Sequence, residues 1–216
     1  MKVKGLMMKS EPQTAGKKLN RATAGFSLIE MMVVVAMALV IAATAAPTMM
    51  NVVSSARMRG TMSNMSTYTQ RARGDAIRSN VTKSVWNVLS SGEYFIYSAD
   101  GADTAPALTA SDGMMPAGKQ VVYVGTPTGS NVPSVLDPAT AFGSSTITVN
   151  TGTAISFNSR GVPCLWSSGS CATTGQAFVW YFIFQPPFGS NRWACLSVSP
   201  AGRIKNWYWD GGAWRN

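Results

Sequence analysis

The sequence predicts an α+β chain, with one long N-terminal helix whose first half is apolar enough to cross a membrane and a C-terminal antiparallel β domain. Three observations carry this. Residues 25–50 read GFSLIEMMVVVAMALVIAATAAPTMM, an apolar run broken by one acid, Glu30. Beyond it, apolar or small residues recur at Met58, Met62, Met65, Thr69, Ala72 and Ala76, a spacing that keeps one stripe of a helix turned toward a partner. From Val81 the period changes to two, and aromatic and β-branched residues take over.

Residues 1–25 form a basic leader: Lys2, Lys4, Lys9, Lys17, Lys18 and Arg21 stand against the single acid Glu11. Basic flanks stay cytoplasmic, so everything after Met50 is expected on the outer side of a membrane that the chain crosses once. Residues 26–50 would extend about 37 Å as a helix at about 1.5 Å per residue, enough to cross a hydrocarbon core of about 30 Å. A secretory signal peptide has a shorter apolar stretch with its small-residue cleavage site behind it. Here the glycine lies in front, so the apolar helix is expected to be kept.

Glu30 is the anomaly in this run. An ionised carboxylate inside a bilayer costs at least about 2.5 kcal/mol and is usually paired. A cut between Gly25 and Phe26 would create an α-amino group one helical turn from Glu30, or one able to meet the Glu30 of a neighbouring copy. The blander reading places the acid at headgroup level near the membrane edge.

Residues 51–80 continue the helix outside the membrane. Arg57, Arg71 and Arg78 fall on multiples of seven along a second face, with Asp75 at pairing distance from Arg71 and Arg78, and the simplest reading of that row is a solvated surface. Gly60 and Gly74 each lower helix propensity by about 1 kcal/mol. Residues 81–216 form the β domain, with strands expected at 83–89, 93–97, 120–124, 146–150, 154–158, 178–185, 193–199 and 203–209. Two stretches rich in Gly, Pro, Ser, Thr and Ala, 99–118 and 125–145, read as long surface loops.

Charge and composition exclude several function classes. The formal charge of +9 owes much to the leader, which holds six of the 18 bases and one of the nine acids, leaving the remainder near +4. No histidine occurs, so the commonest acid-base catalyst and metal ligand is missing. The chain has no GxSxG, HExxH or phosphate-binding loop, and after residue 112 its only acids are Asp137 and Asp210. Catalysis, a cofactor and a metal site are therefore not expected.

Cys164, Cys171 and Cys195 lie beyond the apolar run, in what is expected to be an oxidising compartment. Three cysteines allow three pairings. Cys164 with Cys171 is preferred because the two flank a Ser/Gly turn and would close a short loop, worth about 2–3 kcal/mol. Cys195, in the strand at 193–199, is the competing partner for either. At the C-terminal end, Arg203, Lys205, Trp207 and Trp209 alternate on one strand face, a pattern that fits phosphate contact and base stacking, or tryptophans covering a small sheet beneath lysine and arginine stems.

The segment GFSLIE, Gly25 to Glu30, resembles the class III leader of type IV pilins and type II secretion pseudopilins, and Pro47 falls where pilins commonly carry a helix-kinking proline. The resemblance implies cleavage after Gly25 by a membrane prepilin peptidase, N-methylation of Phe26, and a role for Glu30 in filament assembly with other pilins. QRARGDAIRSN at 70–80, ISFNSRG at 155–161 and LSVSPAGR at 196–203 are similar to the helix end, middle strand and final hairpin of the GspH/FimT group. Members of that group are minor pilins or pseudopilins at or near a filament tip that help start assembly. Some resemble DNA-uptake pilins, whose glycine-arginine-any-arginine motif contacts DNA. The matching positions here read Gly202-Arg203-Ile204-Lys205, in which Lys205 keeps the charge and loses the planar fork. The functional expectation is a structural protein of a type IV pilus or secretion pseudopilus, with DNA as an alternative partner through Arg203 and Lys205, and a single-pass envelope protein that never polymerises as a weaker alternative.

Overall fold

The computed structural model describes residues 26–102, 104–105, 115–128, 132–186 and 190–216, with no side-chain account of 46–48. The chain divides into two units, residues 1–44 and 45–216. Helix α1, Leu28–Ser79, begins in the first and ends in the second.

In the first unit every described side chain from Phe26 to Thr44 is exposed. Helix α1 is long and apolar enough to cross a membrane, and among the described residues of this unit none covers its apolar side chains. The unit's one described hydroxyl after Ser27 is already served, because Thr44 Oγ1 donates to the carbonyl of Ile41 at 3.0 Å. Returning a hydroxyl proton to the helix lets a threonine sit among lipid-facing residues without an orphan donor.

The second unit holds the rest of α1 and the β domain. Its elements are β1 Lys83–Ser90, β2 Glu93–Asp100, β3 Met115–Pro116, β4 Val121–Val124, α2 Pro138–Phe142, β5 Val149–Asn150, β6 Ala154–Phe157, β7 Pro163–Ser167, β8 Ser170–Thr174, β9 Ala177–Phe184, β10 Arg192–Val198, β11 Ile204–Trp209 and β12 Trp214–Arg215. One sheet has the order β3-β2-β1-β6-β7-β8, the other β12-β11-β10-β9-β4, and the short β5 adds to β9 in parallel. The other pairings are antiparallel.

Helix α1 lays the stripe Met58, Met62, Met65, Thr69, Ala72 and Ala76 into the main core, where all six are buried. The stripe meets Val85, Ile96, Ile155 and Phe157 of the first sheet and Phe178, Trp180, Phe182, Leu196 and Val198 of the second. Thr69 is tolerated there because its hydroxyl donates to Met65 O at 2.8 Å. Each fully buried methionine is worth about 1.5–3 kcal/mol over an exposed one, so this stripe, rather than helix propensity, fixes α1 to the sheets.

Strand β9 reads AFVWYFIF, without polar alternation, and the structure gives the reason. Its Phe178, Trp180, Phe182 and Phe184 point to the core under α1. Its Val179 and Tyr181 point the other way, into a second cluster with Leu136, Ala141, Trp193, Cys195, Trp207 and Trp214. A strand covered on both faces needs apolar residues at every position.

The cover on that second face corrects the reading of 125–145 as a surface loop. Within it lies α2, capped by Asp137, whose carboxylate accepts from Ala139 N at 3.2 Å and Thr140 N at 3.3 Å, with Pro138 in its first turn. Gly143, at φ 80°, closes the helix by donating to Ala139 O at 2.9 Å. Leu136 is buried, and its N–H donates to the Tyr181 hydroxyl at 2.9 Å. The expected loop 99–118 lies partly outside the described residues, and its described part includes β3.

The eight expected strands are present with ends moved by up to three residues. The hairpin β7–β8 lies outside the expected set because its turn is polar and its strands short. It turns through Ser168 and Gly169, at φ 52° and 79°, the pair of positive φ values that a two-residue hairpin loop requires.

Candidate functional site

The leader junction lies at the edge of the described chain. Gly25 is outside the described residues, while Phe26 is exposed and precedes the first helical residue, Leu28. Glu30 is exposed in the first turn of α1, where the unpaired N–H groups of a helix end favour a negative charge. Among the described residues no base stands within ion-pair distance of it. Pro47 lies inside α1, whose helical run passes through it.

At its other end, α1 is tied to the sheets by a residue that the sevenfold arginine pattern passes over. Arg73 Nε donates to Gly161 O at 2.8 Å, Nη1 to Gly202 O at 2.9 Å and Nη2 to Ala201 O at 3.3 Å. Gly161 ends the turn after β6, and Gly202 sits in the turn between β10 and β11, so one guanidinium holds a loop from each sheet. Both glycines have positive φ, 71° and 79°, and both press against the helix. A Cβ on Gly161 would lie 2.6 Å from Ile77 Cδ1, and one on Gly202 would lie 2.8 Å from Arg73 Cζ. The three segments 70–80, 155–161 and 196–203 therefore meet at this point.

The other arginines of the helix behave differently. Arg71 and Arg78 pair with Asp75 at 3.9 and 3.1 Å, with both arginine side chains highly exposed. Such surface pairs are worth less than about 1 kcal/mol. Arg59 lies over the Tyr208 ring at 5.8 Å.

Cys164 and Cys171 form a disulfide with Cα atoms 5.5 Å apart, joining β7 to β8. Cys195 is a free thiol, buried in the second cluster, and burial pushes its pKa well above the ordinary thiol value.

Arg203 is exposed at the end of the β10–β11 turn, and Lys205 is half-buried with Nζ 5.2 Å from the Trp207 ring centre. Together with Ser197, Ser199, Ala201 and α2 they line an open cleft of about 380 Å³. The stacking part of the sequence reading fails for Trp207: it is buried, and its indole N–H donates to Ser197 Oγ at 2.9 Å. Its ring belongs to the cluster under α2 and has no face left for a base. Arg215 is also committed, because its Nε donates to Asp210. That bond, with the N–H groups of Ala213 and Gly212, holds the Asp210 carboxyl down at about 2.

Residues 20–46 match the family model described as the prokaryotic N-terminal methylation motif. The N-terminal segment is type IV prepilin-like. The motif covers the Gly25–Phe26 junction, Glu30 and the exposed apolar half of α1. It implies processing by a prepilin peptidase and assembly with other pilins, and the apolar helix suits an inner-membrane anchor. Two crystal forms of the type IV minor pilin FimU of Pseudomonas aeruginosa (strain PAO1) are similar to this chain. One has 12% identity and a TM-score of 0.40, over 74% of this chain and 92% of that one. The other has 13% identity and a TM-score of 0.38, over 73% and 97%. Comparison with curated proteins gives no match. The pilin-like assignment rests on the motif rather than on these likenesses.

Proposed function

We propose that this pilin-like chain is a minor pilin or pseudopilin, built into a type IV pilus or type II secretion pseudopilus at or near the tip, where it helps start assembly. Cleavage after Gly25 and methylation of Phe26 belong to the same reading, with Glu30 as the assembly residue and Pro47 as a bend in the anchor. The observation that carries it is Glu30 alone among the exposed apolar side chains of α1. A carboxylate so placed is costly in lipid and becomes favourable where another subunit's N-terminal amine meets it. The tip role rests on the resemblance of three segments to the GspH/FimT group, and the same segments converge on the one guanidinium of Arg73.

The experiment is filament shearing from cells that carry the chain as their only copy. The wild-type protein is expected in the sheared fraction in small amounts, and Glu30→Ala is expected in the membrane fraction at normal level but missing from filaments. Equal incorporation of the two would overturn the assembly role of Glu30.

A second reading, DNA contact through Arg203 and Lys205, is favoured by their shared cleft with the hydroxyls of Ser197 and Ser199. It makes the filament an attachment device as well as a structural one.

A further inference from the structure

The sevenfold arginine row on α1 leaves one member over. Arg71 and Arg78 pair with Asp75, whereas no acid among the described residues stands within ion-pair distance of Arg57. Arg57 shares a helix face with Gly60, Thr61 and Asn64, which follow it by three, four and seven residues, and this face forms one wall of an open groove of about 470 Å³. Lys119 lines the same groove from the sheet side, exposed on the tight turn that Val121 N closes by donating to Gly118 O at 2.9 Å. It too belongs to none of the ion pairs among the described residues. Val121 and Phe184, both nearly buried, give the groove an apolar floor. All of it lies within the second unit.

Register brings a third cation to this end of the sheets, because Arg192 lies opposite Phe184 on β9 and Phe184 lies opposite Val121 on β4. The described acids here already have partners: Glu93 accepts from Gly118 N at 3.0 Å, and Asp210 accepts from Arg215. The groove is therefore built for an anion, and its place along α1 identifies which one. Met49, Met50, Val52 and Val53 are exposed and apolar, and Arg57 follows Val53 by four residues, about 6 Å along the helix. The headgroup layer on each side of a hydrocarbon core is about 5–8 Å deep. A chain anchored by its apolar run thus holds Arg57 at the level of the lipid phosphates.

We propose that this groove seats the headgroup of an anionic phospholipid from the leaflet through which the chain emerges. Arg57 and Lys119 hold the phosphate, Thr61 and Asn64 supply neutral donors to its ester and hydroxyl oxygens, and the glycerol end lies over Val121 and Phe184. The inference rests on the reading of α1 as a membrane anchor and gives the β domain a bilayer contact of its own.

The test places the full-length chain in nanodiscs of phosphatidylcholine, with or without phosphatidylglycerol, and follows lysine acetylation by peptide mass spectrometry. Beyond the leader the only lysines are Lys83, Lys119 and Lys205, so Lys119 has two internal references. Lys83 follows the far end of α1, and Lys205 lies near the β10–β11 turn that Arg73 holds there. In the anionic discs Lys119 should be acetylated at least about fivefold more slowly than in the neutral ones, the factor for one cation held at an anionic leaflet, while the references change little. Arg57→Gln and Gly60→Glu should each erase most of this contrast. A side chain at Gly60 meets open space, so the second variant brings a carboxylate to the groove without a clash. Arg71→Gln, on the helix but outside the groove, should keep the contrast. Equal acetylation of Lys119 in the two discs would overturn the proposal, including the case in which an acid outside the described residues already holds Lys119. A loss in Arg71→Gln as large as in Arg57→Gln would overturn it too, since that is general attraction of a basic chain rather than a site. A chain that does not enter the discs would overturn the anchor reading itself, and the inference with it.

Discussion

Arg73 and Gly202 meet where α1 closes on the β10–β11 turn: Arg73 Nη1 donates to the Gly202 carbonyl at 2.9 Å, and the glycine has no side chain to hold the guanidinium away. Hydrogen bonds to a charged group are worth about 1.5–3 kcal/mol each before partial exposure is discounted. Arg73→Ala is therefore expected to destabilise the protein by about 2–3 kcal/mol in thermal unfolding followed by near-ultraviolet circular dichroism. Arg73→Lys should recover little, since an ammonium cannot reproduce the fork. Gly202→Ala should cost more than Gly161→Ala. Both force alanine to positive φ, at about 1–2 kcal/mol, but the first collides head-on with a guanidinium held by three bonds, whereas the second meets chiefly the flexible end of Ile77 and comes only to 3.2 Å of Arg73 Nε. Equal melting points for the two glycine variants would show that the guanidinium is not rigidly held.

The contrast between Arg73 and the stripe from Met58 to Ala76 marks what was legible in the sequence. The stripe is a local repeat, so its buried face could be read from spacing alone, as could the apolar run ahead of it. Arg73 has no such signature, because its partners are backbone carbonyls 88, 128 and 129 residues away, supplied by turns whose glycines look like any other turn glycine. Within 125–145 the sequence does carry a signal: Asp137-Pro138 followed by Gly143 is a capped one-turn helix. Composition averaged over twenty residues hides it. Strand alternation puts Trp207 on one face with Lys205, yet which side that face looks toward depends on α2 covering it, which no strand period reveals.

Cysteine chemistry gives a second prediction. Alkylation of the native, unreduced protein at pH 8 should label nothing, because Cys195 is buried and its raised pKa keeps the thiol protonated there. After unfolding without reductant, one cysteine should become reactive, and peptide mapping should place it at Cys195, with Cys164 and Cys171 recovered as one bridged peptide. Replacing both bridged residues by serine is expected to cost about 2–3 kcal/mol, the value for a short closed loop. A bridge containing Cys195 would overturn this pairing.

Maturation supplies a third. Intact-mass analysis of membrane-extracted protein from cells with an active prepilin peptidase should give a chain that begins at N-methylated Phe26. Retention of residues 1–25 would sink the leader reading. Glu30→Ala should still be cleaved, since the substitution lies beyond the junction and removes only a charge that is costly in the bilayer.

DNA contact is the remaining question, and the geometry sharpens what binding should look like. Of the cations in the C-terminal strands, Arg215 is held by Asp210, while Arg203 and Lys205 line the cleft beside α2. Two phosphate contacts support only weak, sequence-independent binding, on the order of micromolar or worse at low salt. Arg203→Gln combined with Lys205→Gln should therefore lower the salt slope by about two units in fluorescence anisotropy with labelled duplex. Because Trp207 is buried and hydrogen-bonded to Ser197, no stacking contribution is expected from it, and single-stranded DNA should gain no advantage over duplex through that ring. Absent binding by the wild-type chain at low salt, or an unchanged slope in the double variant, would remove DNA as a partner and leave assembly as the proposed role of this chain.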